Sequence, residues 1–152
     1  MLTVEYAADL QLHAGHLMGA SDWFTIKQQH IDDFARLSGD DNWIHIDTER
    51  AAHEMPAGRT IAHGLYVLSL IPWLQRRIFA VRRRGRGFNY GYDRVRFLAP
   101  VQVDSRIRLT LSLVQATRQA TGTRIELEAT MEIEGADKPA LIARNIVLIE
   151  DE

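Results

Sequence analysis

Cysteine is absent from the chain. That excludes disulfides, thiolate-held zinc, iron–sulfur clusters and a thiol nucleophile, and it fits a reducing cytoplasm, the expected location. Neither charge sign is in excess. Eighteen Lys and Arg stand against 20 Asp and Glu, for a net charge of −2, so nothing draws the chain toward nucleic acid or a membrane surface. Long apolar runs are missing too. The longest, Leu65 to Leu74, is interrupted by Ser69 and Pro72, whereas a bilayer span needs about 20 residues. Met1–Tyr6 has no basic region leading into an apolar core, so no signal peptide is expected. There is no internal repeat, no phosphate-cradling Gly-rich loop and no nicotinamide fingerprint. The histidines at 13, 16, 30, 45, 53 and 63 show no metal-ligand spacing such as His-Glu-x-x-His. The expectation is an activity that uses no metal and no organic cofactor.

What remains is an ordinary globular balance, 46% apolar and 25% charged over 152 residues, enough for one domain spanning 1–152. The first half reads as helix. Thr25-Ile26-Lys27-Gln28 has the form of a capping box, with Thr25 as N-cap, and Ile31, Phe34, Ala35 and Leu37 continue a helical face. Gly39 suits a left-handed helix end. Residues 40–46 then read as a loop, and Asp47 as the cap of a short helix through His53. After the turn-rich Glu54–Thr60, a very apolar helix is expected from about Ala62 to Phe79, kinked or broken at Pro72.

Val81–Gly87 reads as a basic connection. Beyond it the period becomes two. Ile107, Leu109, Leu111 and Leu113 alternate with polar residues, and so do Ile125, Leu127, Ala129, Met131 and Ile133, which predicts strands with one buried face. In Phe88–Leu98 the phase slips, which predicts a bulge or bend near Asp93. Gly135–Pro139 is a hairpin turn into a last strand, Ala140–Ile149, apolar on both parities and therefore central. The economical packing is α+β, an antiparallel sheet wrapped around a long central helix.

Two short segments carry chemistry. Asp40, Asn42 and His45 lie together in Ser38-Gly39-Asp40-Asp41-Asn42-Trp43-Ile44-His45, and Ile61-Ala62-His63-Gly64 opens the apolar helix. A carboxylate and an imidazole can move protons, and a helix start carrying Gly can present backbone N–H groups to an oxyanion. Five residues on a helix set two side chains about 140° apart, so Asp40 and His45 converge only through a loop, which Gly39 permits. Asn42 would orient either side chain or the loop itself.

These residues, with Ser69, resemble the MaoC-like hydratases, a hotdog-fold family that includes (R)-specific enoyl-CoA hydratases. The nodulation-protein-N-like branch resembles the chain further, through Ser21-Asp22-Trp23-Phe24-Thr25, Trp43-Ile44-His45, Leu70-Ile71-Pro72, Asn89-Tyr90-Gly91, Arg94-Val95-Arg96-Phe97 and Gly135-x-x-Lys138-Pro139-Ala140. Many family members have Pro after the Asn; Trp43 stands there in this chain, as in that branch. Asp41 is a competing carboxylate, but the motif spacing selects Asp40. The resemblance implies a hotdog fold and reversible addition of water to a trans-2-enoyl-CoA, giving the (R)-3-hydroxyacyl-CoA. Asp40 and His45 would work on the water and its proton, the Gly64 N–H would hold the thioester oxygen, and Ser69 would support Asp40. Coenzyme A enters only as part of the substrate. A homodimer is implied, consistent with the edge strands that one curved sheet leaves open.

Other readings stay open on the residues alone. His63 is either a structural hydrogen-bonding residue or part of the site wall, and Ser69 either faces the cavity or bonds its own helix carbonyl. Arg82, Arg83, Arg84 and Arg86 either grip the coenzyme A phosphates or form a solvated linker. A thioesterase, or a non-catalytic acyl-CoA or acyl-carrier binding module, would use the same fold.

Overall fold

The computed structural model describes residues 1–152. Three long strands dominate it: β6 (Arg106–Gln119), β7 (Gly122–Ile133) and β8 (Leu141–Glu150). They pair antiparallel in sequence order, with Leu109 opposite Met131 and Leu111 opposite Ala129. The alternating apolar residues of β6 and β7 all turn inward, and Ile107, Leu109, Leu111, Ile125, Leu127 and Met131 are fully buried. A register shift between Leu113 and Gln115 moves the buried position on β6 from 113 to 116. The sheet order is β2 (Leu17–Ala20), β6, β7, β8, β5 (Gly87–Phe97), with the two-residue β3 (Phe24–Thr25) also on β6. β8 is therefore flanked on both sides, as its two-sided apolar pattern predicts, and β5 is an edge.

The slip in β5 is real. Its register against β8 shifts between Asp93 and Arg96, with Arg94 left-handed at φ 54°, and again between Asn89 and Gly91. A small parallel pair, β1 (Leu2–Tyr6) with β4 (Phe79–Arg83), completes the strands and was not visible as such in the sequence.

The apolar helix is shorter than its composition suggests. It consists of α4 (Gly64–Ser69) and α5 (Ile71–Gln75), separated at Leu70, and the chain then enters β4 at Phe79. Pro72 explains the break, because it has no N–H to donate back to Leu68. Each piece buries one face only: Val67, Ile71 and Leu74 join the same core as Leu109, Leu111, Leu127 and Val147, while Leu65 and Trp73 stay exposed. No helix is long and apolar enough to cross a membrane.

The helix α1 (Gln28–Ser38) starts two residues later than the capping-box pattern predicts. Thr25 is in β3, and the N-cap is Lys27, whose backbone N–H donates to His30 Nδ1 at 3.1 Å. Gly39 ends α1 at φ 79°, donating its N–H to the Ala35 carbonyl at 2.8 Å. That left-handed residue turns the chain into α2 (Trp43–Ile46) and α3 (Thr48–Glu54), the latter capped by Asp47, whose carboxylate accepts from the Arg50 N–H at 2.9 Å.

Candidate active site

The reversal at Gly39 places Asp40 at the rim of a cavity of about 390 Å³, and the single turn of α2 places His45 on its wall. The segment Thr60–Ala62 fixes that turn. The Ile61 N–H donates to the Ile44 carbonyl at 3.1 Å, and the His45 ring nitrogen Nδ1 lies 2.7 Å from the Ile61 carbonyl. A carbonyl only accepts, so Nδ1 carries the His45 proton and Nε2 keeps its lone pair. Nε2 has no protein partner, yet it is not among the sealed, unpartnered polar atoms of the chain. His45 is only 8% exposed and lines the cavity, so that opening is into the cavity. Burial holds the His45 pKa below its ordinary value of 6.5, with nearby His63 acting in the same direction; the Ile61 hydrogen bond and Asp40 oppose it. At neutral pH the imidazole is therefore an uncharged proton acceptor.

His63 lies beneath it. Its ring stacks on His45 with 3.7 Å between centroids and 26° between planes, and its Nε2 donates to the backbone carbonyl of Asp40 at 2.8 Å. Phe34 tilts against His63 with 5.0 Å between ring centroids. Behind Phe34 stands Tyr66, whose phenol is pushed up to about 12 by burial and stays neutral. Asp40, His45 and His63 each offer a donor atom within 4.8 Å of the others. One nitrogen of each ring is already engaged by a backbone carbonyl, that of Ile61 for His45 and that of Asp40 for His63.

Gly64 opens α4 at the cavity wall. As the first residue of the helix, its N–H has no acceptor one turn back. The absence of a side chain is required here: a Cβ at position 64 would lie 2.8 Å from Cδ1 of Phe97. Leu65, Val67, Phe97, Leu98, Pro100 and Val101 make the remaining wall predominantly apolar.

The structure thus brings Asp40, His45, His63 and Gly64 to one cavity. It does not bring the other expected residues there. Asn42 is exposed and caps α2, accepting from the Ile44 N–H at 3.4 Å, so it shapes the loop. Ser69 donates to the Tyr66 carbonyl at 2.7 Å, is exposed and does not line the cavity, because the α4 turn carries it away from Gly64. The four arginines lie elsewhere as well. Arg82 and Arg83 belong to β4 rather than a free linker, Arg83 pairs with Glu152 at 3.0 Å and Arg86 with Glu150 at 2.7 Å, and Arg82 is near Glu5 at 3.8 Å. Arg84 bonds the Gly85 carbonyl, and none of the four lines the cavity.

Sequence reasoning missed Gln28. Its side chain donates to the His45 carbonyl and to Asp32, both at 2.8 Å, and accepts from the Thr60 hydroxyl. It therefore ties α1, α2 and the Thr60–Ala62 segment together behind the site. Phe97 was legible only as part of a strand; its contact with Gly64 spans 33 positions.

Comparison with known proteins shows likeness along most of the chain. Residues 10–136 match the family described as MaoC like domain. A 3-hydroxyacyl-thioester dehydratase Z of Mycobacterium tuberculosis is 47% identical over 148 residues, covering 97% of each chain. Nodulation protein N of Rhizobium leguminosarum bv. viciae is 41% identical over 145 residues, covering 94% of this chain and 90% of that one. Among solved structures, an (R)-hydratase from Pseudomonas aeruginosa superposes with a TM-score of 0.77 at 20% identity, covering 98% of this chain and 89% of that one. A double-hotdog protein from M. tuberculosis superposes with a TM-score of 0.66 at 16% identity, covering 96% of this chain and 41% of that one. These likenesses make the fold a hotdog, and the family match with its relatives places this chain in the MaoC-like dehydratase family, beside dehydratase Z and nodulation protein N.

Proposed function

We propose that the chain is a hydro-lyase that reversibly adds water to a trans-2-enoyl thioester, giving the 3-hydroxyacyl thioester, with coenzyme A as the carrier and no metal or organic cofactor. The observation that carries this reading is the shared cavity. A carboxylate, an uncharged imidazole with an open Nε2 and the first N–H of α4 all reach one predominantly apolar space. The 47%-identical relative acts, by its name, on 3-hydroxyacyl thioesters.

The chemistry needs water to lose a proton as it attacks C3, C2 to gain one, and the thioester oxygen to be held while it carries enolate charge. Asp40 and His45 handle the water and the proton. The Gly64 N–H faces the thioester oxygen, where its unused donor and the N-terminal end of α4 favour negative charge. The apolar wall excludes bulk water and accepts the acyl chain. The (R) configuration of the product follows the family resemblance.

Hydrolysis of the thioester and simple acyl-thioester binding are the competing readings. The open imidazole beside a carboxylate favours proton transfer to and from carbon over either. Separate (R) and (S) enantiomers of 3-hydroxybutyryl-CoA provide the test. Dehydration of the (R) form alone is expected; consumption of the (S) form, or inertness toward both, would overturn the proposal.

A further inference from the structure

We propose that His63 is a positioning residue of this site, clamping the backbone of Asp40 through Nε2–H and setting the His45 ring by stacking on it. The inference rests on the hydro-lyase reading and assigns a role to a side chain that need not touch substrate. Three observations carry it. First, the hydrogen bond from His63 goes to the peptide carbonyl of Asp40 itself, at 2.8 Å. That bond crosses from the start of α4 to the loop after α1, and it fixes where the Asp40 side chain starts.

Second, the two rings overlap at 3.7 Å. The Ile61 carbonyl holds the edge of the His45 ring and His63 holds its face, which leaves the ring no free rotation about χ2. Nε2 is then presented to the cavity without searching for its orientation.

Third, the His63 Nδ1 atom is fully buried and has no hydrogen-bond partner. An unsatisfied buried nitrogen is a cost. A side chain needed only to cap the Asp40 carbonyl could be a hydroxyl, which donates without burying a second nitrogen. The ring is explained when the flat surface against His45 is itself what is used. The charged or titratable neighbours of His45 are Asp40 and His63 alone among the causes of its shifted pKa, and His63 opposes a positive charge there. Phe34, which packs on His63, and neutral Tyr66, which packs on Phe34, add no charge.

Two variants separate the clamp from the stack. His63→Phe keeps a flat ring and loses the donor; His63→Gln keeps a donor near the position of Nε2 and loses the ring. Each is assayed for hydration of crotonyl-CoA across pH, and the His45 imidazole is titrated by NMR in the unliganded protein. His63→Phe is expected to lower kcat about ten- to hundredfold, with KM within about threefold, since misplaced groups cost turnover more than binding. His63→Gln should retain more of kcat than His63→Phe. In both, the His45 titration and the acid limb of kcat/KM should move to higher pH, because the neighbour opposing its charge is gone.

A kcat for His63→Phe within about threefold of wild type would overturn the proposal. So would a loss of kcat with the His45 titration unmoved, which is the mark of a merely structural residue. If His63→Phe does not fold, the titration in His63→Gln decides. Asp40→Asn and His45→Gln are run alongside: wild-type rates in those two would overturn the hydro-lyase reading itself, and the NMR titration would still judge His63.

Discussion

Burial does two things for His45. It removes water from one edge of the ring, and it keeps the imidazole uncharged at the pH where a proton acceptor is wanted. The sign has consequences for rate and for stability. As a base, His45 must be neutral, so kcat/KM should fall on the acid side, with its midpoint below the ordinary imidazole value of 6.5. The unfolded chain, with the ordinary value, binds more protons than the folded chain between the lowered pKa and 6.5. The stability contribution is therefore complete above 6.5 and is lost as pH falls to the lowered value. Urea midpoints measured while lowering pH from neutrality should drop more for wild type than for His45→Gln; equal drops would contradict the assignment. On the proposed reaction, replacing either proton-handling group should remove about two to four orders of magnitude in turnover. Asp40→Asn and His45→Gln should show that loss with an unchanged circular dichroism spectrum. The spacing of Asp40 and His45 made both legible, because two groups that cannot share a helix face need a turn, and Gly39 supplies it. The stacking partner was harder to read: His63 is 18 residues away, and nothing in a lone His-Gly pair shows that its ring lies flat on another.

Elements meet at Gln28, and there the local pattern misled. Thr25-Ile26-Lys27-Gln28 has capping-box spacing, but Thr25 is held in β3 against Arg106, and Gln28 finds stronger partners in Thr60 and the His45 carbonyl. Tertiary hydrogen bonds outweigh a cap worth about 1 kcal/mol. Gln28→Ala leaves the buried Thr60 hydroxyl and the His45 carbonyl without this partner, so it should cost about 1–3 kcal/mol and slow turnover. Gln29→Ala, which loses only an exposed bond to Asp33, should stay within about 0.5 kcal/mol. Chemical denaturation of the two variants makes the comparison; similar costs would show that Gln28 does not brace the site. The break at Pro72 and the slip in β5 were both visible in advance, because a missing donor and a change of parity are local facts. The β1–β4 pair was not, because parallel pairing across more than 70 residues leaves no periodic mark. Gly64 joins the elements from the other side. Gly64→Ala sets a methyl against the Phe97 ring at 2.8 Å, so it should destabilise by about 1–3 kcal/mol and raise KM as the ring is driven into the cavity. Gly64→Ala combined with Phe97→Ala should recover part of the stability lost; no recovery would place the clash elsewhere.

One wall of the molecule is unfinished. β5 is an edge strand, and it exposes Phe88, Tyr90 and Phe97, with Tyr90 69% exposed. Apolar edges of this kind call for a partner, and pairing across a two-fold axis would cover both copies at once. Sedimentation of the wild type should show a dimer, and Tyr90→Lys should shift it toward monomer; a monomeric, fully active wild type would remove the partner from the account. The cavity wall made by Phe97 and Leu98 is continuous with this edge, so weakened pairing should also weaken turnover. The central claim, however, concerns the reaction, and the most direct measurement is simultaneous: enoyl absorbance and free thiol followed together after adding crotonyl-CoA to the purified protein. The account predicts loss of enoyl absorbance with no thiol released, abolished in Asp40→Asn. Thiol appearing in step with substrate loss, or unchanged absorbance with enoyl thioesters of every chain length, would contradict it.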